Sequence, residues 1–593
     1  MYLSNAKQKN GRRYLSIVHA YWDSENKKKK TKTIKSLGYL DELEKKHDNP
    51  IAYFEALAKE MTAEHNAKAK PIELPINQLE ELEPGTNNVK NYGYAALSAI
   101  YHELGIDRFL NNWQRKLKAQ YSLNAIFRLL VFGRAIFPGS KKSTYEKKEA
   151  IFEKADFSAS DMYNGLTHLT KAKDALLKWL FEKVSSLYGR DTSTVYYDVT
   201  NYYFEIDTND EDIMDENGKI LETGFRKRGV EKNRRPDPII QMGLLLDNNG
   251  LPISYQLFDG NTNDTLTLRP SLKKARIDYG LGKVVLVADK GVNSGDNLYY
   301  LLSGKNGYIL SKSIRGASKE LKQYALDPEG YQAYVPKKKK ASDNADTSAF
   351  LIKSKREPRE IQVTQTGGKK KPYIVHEKLV VFYSEKYAKR AKKEREAIIA
   401  KARDLINHPQ KYNKATTYGA AKYVQNLKYD LDTGVVLKSK LYFDEDLVKE
   451  EEALDGYYAI VTSEMKLPAG TIVDKYHELW KIEESFKVTK SQLETRPIYL
   501  ERKDRIEAHF LICFVTLLIM RILEKKTGGN YSIEQLLHSL RQSNYTHVTQ
   551  NHFVLGYFDQ VLQAIGEATD IEFNRKFATL ETIRKNIAMT KKN

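Results

Sequence analysis

The spacing of hydrophobic residues changes several times along the chain, and each change predicts a different kind of element. Near the N-terminus, residues typical of strands occupy Arg13–Trp22 and Lys32–Leu37, and the charged segment between them predicts a hairpin turn. From about residue 91 to residue 187, apolar side chains return every three or four positions, as at Leu97 and Ile100. That period predicts several helices.

The stretch from Thr192 to Ser313 shows the clearest alternation of strand and helix patterns. In chain order it predicts strand Thr194–Phe204, strand Ile239–Leu246, strand Leu251–Leu257, helix Asp264–Tyr279, strand Lys283–Ala288, helix Ser294–Ser303 and strand Gly307–Lys312. This succession is the one expected of a ribonuclease-H-like core, in which a mixed sheet is covered by helices.

A less regular segment, from about Arg315 to Gly456, interrupts this order. It contains three strand-like pieces and one charged helix, namely Ile361–Thr364, Tyr373–Phe382, Val435–Phe443 and Ser384–Ile406. We interpret the segment as an inserted β-rich subdomain. Another strand, Tyr457–Thr462, and a long helix, Ala469–Ser491, are predicted to complete the core, and the remainder of the chain is predicted to be helical.

The net charge narrows the class of partner. The 593 residues include 96 Lys and Arg against 77 Asp and Glu, giving a net charge of +19. A surplus of this size favours a polyanion, and nucleic acid is the commonest one. Cys513 is the single cysteine, so neither an intrachain disulfide nor a thiolate metal cluster can form. The first residues lack the apolar core of a signal peptide, and we expect a cytoplasmic protein.

Three carboxylates are notable for their positions. Asp198 lies inside an apolar strand, where a carboxylate is costly to bury without a partner. Asp289 directly follows the buried strand KVVLVA, and ligands gather at the carboxyl ends of strands in open α/β sheets. Glu483 lies on the late helix. If the strands of the two aspartates are parallel neighbours, all three carboxylates can meet at one edge of the sheet.

Such a cluster suits Mg²⁺ or Mn²⁺, because hard cations prefer carboxylate oxygen. Two ions about 3.5–4 Å apart activate a water or a 3′-hydroxyl and stabilise the leaving oxygen of a phosphodiester. The late helix supports this interpretation, since Tyr476, Glu483 and Lys490 recur every seven residues and share one helical face, with Lys487 on its flank. A mixed surface stripe is the alternative for these side chains.

Three motifs carry a resemblance to a known family. The segments YYDVTNYYFE, VADKGVNSGDNL and YHELWKIEESFKVTKSQLETRPIY resemble the catalytic motifs of bacterial insertion-sequence DDE transposases. The similarity is to the IS-four group, defined by a Tyr-(2)-Arg-(3)-Glu-(6)-Lys signature. Here the signature consists of Tyr476, Glu483 and Lys490, and Leu479 stands where the family has arginine. Leu479 cannot supply the phosphate contact of that arginine, and Lys481 and Lys487 are the candidates to replace it.

The resemblance implies what the protein does and what it binds. It implies a ribonuclease-H-like core with a β-rich insertion before the glutamate, and binding to double-stranded DNA at terminal inverted repeats. Excision and strand transfer into target DNA follow from it, with a dimer expected on the DNA ends because two ends must be held together. A nucleoid-associated location in the cytoplasm is expected. Arg228, Arg234 and Arg235, in a basic loop before the hairpin, are predicted to contact phosphates together with Tyr476, Lys487 and Lys490.

Two alternative functions remain open from the sequence. One is a metal-dependent nuclease of the same fold that hydrolyses DNA without joining it, and the other is a DNA-binding protein that has lost catalysis. A glycosidase with paired carboxylates fits poorly with a net charge of +19.

The predicted fold class is an α/β catalytic core, a ribonuclease-H-like mixed sheet with a β-rich insertion, flanked by helical N-terminal and C-terminal regions. The predicted division has six parts: a β-hairpin-containing element at 1–60, a helical candidate DNA-binding region at 61–190, the first part of the core at 191–314, the insertion at 315–456, the second part of the core with the glutamate helix at 457–502, and a helical C-terminal region at 503–593.

Overall fold

The computed structural model describes most of the chain, and two compact units are distinguished within it. The described residues are 1–8, 11–23, 28–67, 73–74, 79–229, 237–336, 350–413, 416–417, 419–429, 435–436 and 440–592. The first unit is Met1–Pro84 and the second is Gly85–Asn593.

The first unit is a three-stranded antiparallel sheet with helices. Its elements are β1 (Tyr2–Lys7), β2 (Arg13–Asp23), β3 (Lys28–Tyr39), α1 (Leu40–Leu43) and α2 (Pro50–Ala67). The strands lie in the order β1-β2-β3, so the predicted hairpin is confirmed as β2 and β3. Leu15, Leu43 and Phe54 form its apolar core. The domain boundary predicted at residue 60 falls inside α2. Phe54 and Ala58 of this helix are buried in the first unit.

The second unit holds the remaining elements. Its helices are α3 (Tyr94–Glu103), α4 (Ile106–Gln114), α5 (Leu123–Ile136), α6 (Lys141–Glu146), α7 (Ala159–Tyr188), α8 (Asp264–Tyr279), α9 (Gly295–Ser303), α10 (Lys319–Leu326), α11 (Glu385–Asn407), α12 (Glu445–Ala453), α13 (Ala469–His477), α14 (Trp480–Lys487), α15 (Lys503–Lys526), α16 (Ile533–Gln542), α17 (Gln560–Thr569) and α18 (Leu580–Met589). Its strands are β4 (Val89–Asn91), β5 (Thr194–Tyr203), β6 (Ile213–Met214), β7 (Ile220–Glu222), β8 (Ile239–Asp247), β9 (Pro252–Asp259), β10 (Val285–Ala288), β11 (Gly307–Lys312), β12 (Gln332–Tyr334), β13 (Phe350–Thr364), β14 (Lys370–Tyr383), β15 (Val424–Gln425), β16 (Tyr442–Phe443), β17 (Tyr457–Thr462), β18 (Asn544–Thr549), β19 (His552–Leu555) and β20 (Phe577–Thr579).

A nine-stranded mixed sheet forms the centre of this unit. Its strand order is β12-β13-β14-β17-β11-β10-β5-β8-β9. The neighbours β5, β10 and β11 are parallel, and the other pairs are antiparallel. The strands and helices predicted between Thr192 and Ser313 are therefore confirmed. The Asn263 side chain accepts a hydrogen bond from the Thr265 N–H and caps α8.

The segment predicted as a separate β-rich insertion continues the central sheet instead. β14 pairs with β17 along six residues, and β13 and β12 extend the sheet beyond it. The predicted strands were too short, because β13 and β14 form a long hairpin whose outer half alternates exposed side chains with buried ones, including Ile361, Val363 and Val375. Helix α11 begins against the sheet, where Tyr387 contacts Phe350 and Tyr458, and its later turns pack on a small apolar cluster that includes Ala402, Leu405 and Tyr423.

Helix α15 lies in the apolar core of the second unit. It is long and apolar enough to cross a membrane by length and composition, yet 94% of its most apolar 18-residue window is buried inside the protein. It contacts α3, α5 and α7 as well as β9. Helix α15 is therefore a buried core helix of the second unit.

The prediction of a wholly helical C-terminal region was wrong. Strands β18, β19 and β20 form a four-stranded antiparallel sheet with β4, from near the start of the unit. Strand β18 needs a partner more than 450 residues away in sequence, with Asn544 opposite Asn91. A local hydrophobic period carries no information on such a pairing.

Candidate active site

Asp198 and Asp289 lie next to one another on parallel neighbouring strands. Ala288 of β10 is paired with Tyr197 of β5, and each aspartate is the following residue on its strand. The expected parallel pairing of these strands is thus confirmed. Asp289 is exposed and Asp198 is half-buried, with its Oδ1 accepting a hydrogen bond from the Val199 N–H at 2.8 Å. Two carboxylates therefore face solvent at one edge of a largely apolar sheet.

Two hydroxyl groups hold the Asp289 carboxylate. The Ser311 Oγ donates to Asp289 Oδ1 at 2.5 Å, and the Tyr476 hydroxyl donates to the same oxygen at 3.4 Å. Ser311 follows Leu310, which is paired with Ala288, so Ser311 within β11 stands beside Asp289, which directly follows β10. Ser311 was not predicted from the sequence. The only indication there is its place late in the buried strand GYILSK, which follows KVVLVAD along the chain.

The electrostatics of Tyr476 connect the second aspartate to the glutamate. Burial raises the pKa of the Tyr476 hydroxyl, the negative charge of Asp289 raises it further, and the charge of Glu483 acts in the same direction. The phenol therefore stays protonated and donates to the carboxylate. The two carboxylates therefore act in the same direction on one hydroxyl group.

The helix predicted as continuous over Ala469–Ser491 is broken into three parts. Helix α13 ends at His477 and α14 begins at Trp480, with a tight turn in which the Leu479 N–H bonds to the Tyr476 carbonyl at 3.0 Å. After α14 the turn Val488–Gln492 widens, and the Leu493 N–H bonds to the Val488 carbonyl. Wide helical turns of this kind are frequent at functional sites.

Tertiary contacts to β5 explain why this helix departs from a regular period. The Tyr196 hydroxyl donates to the Glu478 carboxylate at 2.6 Å, inside the turn between α13 and α14. Further along, the Lys490 ammonium donates to the Thr200 hydroxyl. Side chains on a strand alternate between faces, so residues 196, 198 and 200 share one face of β5. The two contacts thus bracket Asp198 on the strand and Glu483 on the helix.

A buried arginine fixes the other side of α14. The Arg521 guanidinium, on α15, forms salt bridges to Glu484 and Glu524 at 2.9 Å each. It also donates to the Lys481 carbonyl and the Ser485 hydroxyl. Arg521 is 6% exposed and was not singled out in the sequence, because a single arginine in an apolar helix has no local signature. It anchors the helix that carries Glu483.

The three carboxylates do not form a closed cluster. Among the described residues, no three His, Cys, Asp or Glu side chains lie close enough together to hold a metal ion between them. The donor set is nevertheless all carboxylate oxygen, open to solvent on Asp289 and Glu483. Oxygen ligands in an open arrangement suit Mg²⁺, which retains several of its waters and uses few protein ligands.

The predicted phosphate contacts have different surroundings. Lys487 is exposed and Lys490 is half-buried beside Thr200. Leu479, in place of the family's arginine, is buried, and the Lys481 ammonium lies 3.4 Å from the Glu478 carboxylate. Trp480, expected to pack in the core, is 39% exposed because it begins α14 on the solvent side.

The basic loop before β8 is only partly described. Arg228 is exposed, and its guanidinium donates to the Asp207 carbonyl at 2.6 Å. Arg226 and Lys227 each form a salt bridge, to Asp210 and Asp212 respectively, so their charges are offset locally. Arg234 and Arg235 lie outside the described residues.

Comparisons with protein families give two matches. Residues 3–72 match the model described as IS1634 family transposase, N-terminal domain. Residues 222–519 match the model described as transposase DDE domain, which is 298 of the 593 residues. The second range begins after β5, so it includes Asp289 and Glu483 but not Asp198. No curated protein matches the chain.

Proposed function

Because the chain belongs to the DDE transposases of bacterial insertion sequences, we propose that Asp198, Asp289 and Glu483 are its catalytic residues. The family indicates DNA transposition, with DNA as the partner and divalent metal ions as the usual cofactor of the DDE domain. The observation that supports this site best is the register of β5 and β10, which makes the two aspartates neighbours beneath the helix of Glu483.

We propose that the three carboxylates hold two Mg²⁺ or Mn²⁺ ions together with DNA phosphate oxygens. When bound, the ions supply an activated water or 3′-hydroxyl and stabilise the leaving oxygen. The protein's own contribution is orientation. The Ser311 and Tyr476 hydroxyls fix the Asp289 carboxylate, and the contacts of Glu478 and Lys490 to β5 fix the position of the glutamate helix.

The proposed reaction is excision of an insertion sequence followed by strand transfer. The protein would bind terminal inverted repeats and target DNA, act as a dimer on the DNA ends, and work in the cytoplasm on the nucleoid. The strand order around β10 and β5 supports a ribonuclease-H-like core for this chemistry. We assign phosphate contacts to Tyr476, Lys487, Lys490 and Arg228, and to Arg234 and Arg235 in the undescribed part of the basic loop.

A strand-transfer assay tests the proposal. The full-length protein is incubated in Mg²⁺ with a supercoiled plasmid and a duplex that ends in a 3′-hydroxyl, taken from DNA flanking its gene. We expect joined products, and a rate reduced about 1,000-fold or more in Asp289→Asn, since removing metal ligation costs several kcal/mol of transition-state stabilisation.

Glu216→Gln removes an exposed carboxylate that is not part of the proposed site. It serves as the matched control, and we expect its rate to be unchanged. Hydrolysis of DNA without any joined product would favour the nuclease of the same fold. Full activity of Asp289→Asn would refute the site.

A further inference from the structure

A pocket lined by several charged side chains lies beside the segment that follows the turn Val488–Gln492. Its volume is about 330 Å³, and its walls include Arg134, Lys141, Glu494, Arg496, Tyr499 and His509. These side chains come from α5, α6, the segment after the glutamate helix and α15. Three of them are strong cations, and Glu494 is the single acidic residue in the lining.

Lys141 is buried without a carboxylate partner among the described residues. It is 4% exposed, and its ammonium donates to His509 Nδ1 at 3.2 Å. The His509 Nε2–H donates to the Thr495 carbonyl at 3.0 Å, so Nδ1 is the acceptor. Burial, and then the charge of Arg134, lower the pKa of the Lys141 ammonium well below its usual value. A buried cation of this kind is costly unless an anion is present.

Arg134 presents a second incompletely paired cation. It is 3% exposed, and one of its terminal nitrogens donates to the carbonyls of Leu493 and Glu494 at 3.1 Å each. Its Nε has no hydrogen-bond partner in the part of the chain that the structure describes. Arg496 completes the cationic wall, with its guanidinium 5.5 Å from the ring centre of Tyr203 at the end of β5.

We infer that this pocket binds a phosphate group of the DNA backbone, held by Lys141, Arg134 and Arg496. The inference rests on the proposed function. Arginine and lysine are the side chains that recognise phosphate, and such contacts set the register of a protein on a duplex. The pocket adjoins the same helix and the same strand that carry Glu483 and Asp198, since Arg134 bonds the residues just after Val488–Gln492. Arg496 also contacts the ring of Tyr203, the last residue of β5.

The first experiment compares Lys141→Met with Lys142→Met, the exposed neighbour on α6. The duplex with a 3′-hydroxyl end that is used in the strand-transfer assay is called the end duplex. Binding of the full-length proteins to the end duplex is measured over a range of salt concentrations. We expect Lys141→Met to weaken binding about 10-fold. We also expect the slope of the logarithm of the binding constant against the logarithm of the salt concentration to become less negative by about one, the contribution of one phosphate contact. Lys142→Met should leave both quantities near wild type, and equal effects of the two substitutions would overturn the pocket.

The second experiment locates the phosphate. The end duplex is prepared with one methylphosphonate at each position in turn, which removes the charge of that phosphate. We expect one position to weaken wild-type binding about 10-fold and to have no further effect on Lys141→Met, because the pair is already broken. If Lys141→Met does not fold, Arg496→Gln on the more exposed wall takes its place in the same scan.

Two further outcomes separate the pocket from the proposed catalysis. Asp289→Asn should keep the position-specific methylphosphonate effect even though it cannot join DNA. If inorganic phosphate raises the melting temperature of wild type above that of Lys141→Met, while no methylphosphonate position depends on Lys141, the pocket holds a free anion and the assignment to DNA is overturned.

Discussion

At the scale of single residues, the Asp289 carboxylate depends on the hydroxyls that orient it. Ser311 and Tyr476 donate to the same oxygen, and Tyr476 is half-buried. Hydrogen bonds from outside the ligand set typically change metal affinity or activity 10- to 100-fold when they are removed. Substitution of Ser311 or Tyr476 should therefore change metal affinity or activity while all three carboxylates stay in place.

Tyr476→Phe should raise the Mg²⁺ concentration required for half-maximal strand transfer by about 10-fold or more, because Asp289 loses one of its orienting donors. Metal titration of the strand-transfer rate measures this shift. Tyr299→Phe removes an exposed hydroxyl on α9 and should leave the titration unchanged. A Tyr476→Phe titration that superimposes on wild type would show that the hydroxyl has no part in organising the site.

His509 predicts a dependence of stability on pH. Burial lowers the pKa of its imidazole well below 6.5, and the charges of Lys141 and Arg134 lower it further, while Cys513 Sγ lies 3.9 Å from its Nε2. As pH falls below about 6.5, the unfolded chain takes up a proton at this residue and the folded protein does not. The free energy of unfolding should thus fall by about 1.4 kcal/mol per pH unit from this residue, until the lowered pKa is reached.

Melting temperatures of wild type and His509→Gln between about pH 7.5 and pH 5.5 measure that contribution, because the variant lacks the titrating group. The wild-type temperature should decline more steeply. His376→Gln, at an exposed position on β14, is the control and should follow wild type. Parallel curves for wild type and His509→Gln would contradict the prediction.

The sequence predicted some of these residues and missed others for a physical reason. Asp198 and Asp289 could be found because a carboxylate inside or at the end of an apolar strand breaks a local pattern. Ser311 and Arg134 break no pattern. Their roles depend on which strand lies beside which, and on a loop that approaches from more than 350 residues away in the chain.

At the scale of elements, the position of α14 depends on Arg521. This guanidinium joins Glu484 and Glu524 and also bonds to the helix backbone at Lys481. Removing one partner of a buried ion pair leaves the other charge uncompensated, at a cost of about 3–5 kcal/mol. The glutamate helix would lose its support from α15.

Arg521→Met should therefore lower the melting temperature by several degrees and reduce the strand-transfer rate more than DNA binding. Thermal unfolding and the two activity measurements are made on the same preparation. Arg502→Met removes an exposed arginine paired with Asp504 and should change neither, since exposed pairs contribute little. An Arg521→Met protein with wild-type melting and rate would show that packing alone fixes α14.

The elements around the site were predicted well where their pattern is local. β10, β11 and β17 are short apolar runs, and α8 and α9 have capping residues in the sequence. The break at Glu478 could not be predicted, because it follows from a hydrogen bond to Tyr196 on a strand 282 residues earlier. The hydrophobic period of the sequence continues through Glu478 and gives no indication of the turn between α13 and α14.

At the scale of the whole molecule, most of the net charge lies in the second, larger unit. Met1–Pro84 contains 15 Lys and Arg against 13 Asp and Glu, a net charge of +2, which leaves +17 for Gly85–Asn593. The sequence-independent attraction to DNA phosphates grows with the number of phosphates that are neutralised. Most of this attraction should therefore reside in the second unit, which also holds the carboxylates and the Lys141 pocket.

A chain beginning at Gly85 separates the electrostatic contribution from any selectivity of the first unit. We expect it to bind an unrelated duplex with nearly the affinity and salt slope of the full-length protein, because it keeps +17 of the +19 charge. The first unit matches a transposase N-terminal domain, so the preference for the end duplex over the unrelated duplex should fall. Binding of both proteins to both duplexes across a salt series measures the two effects. If the truncated protein keeps the full preference for the end duplex, recognition belongs to the second unit. If it loses binding to the unrelated duplex, the electrostatic surface lies in Met1–Pro84.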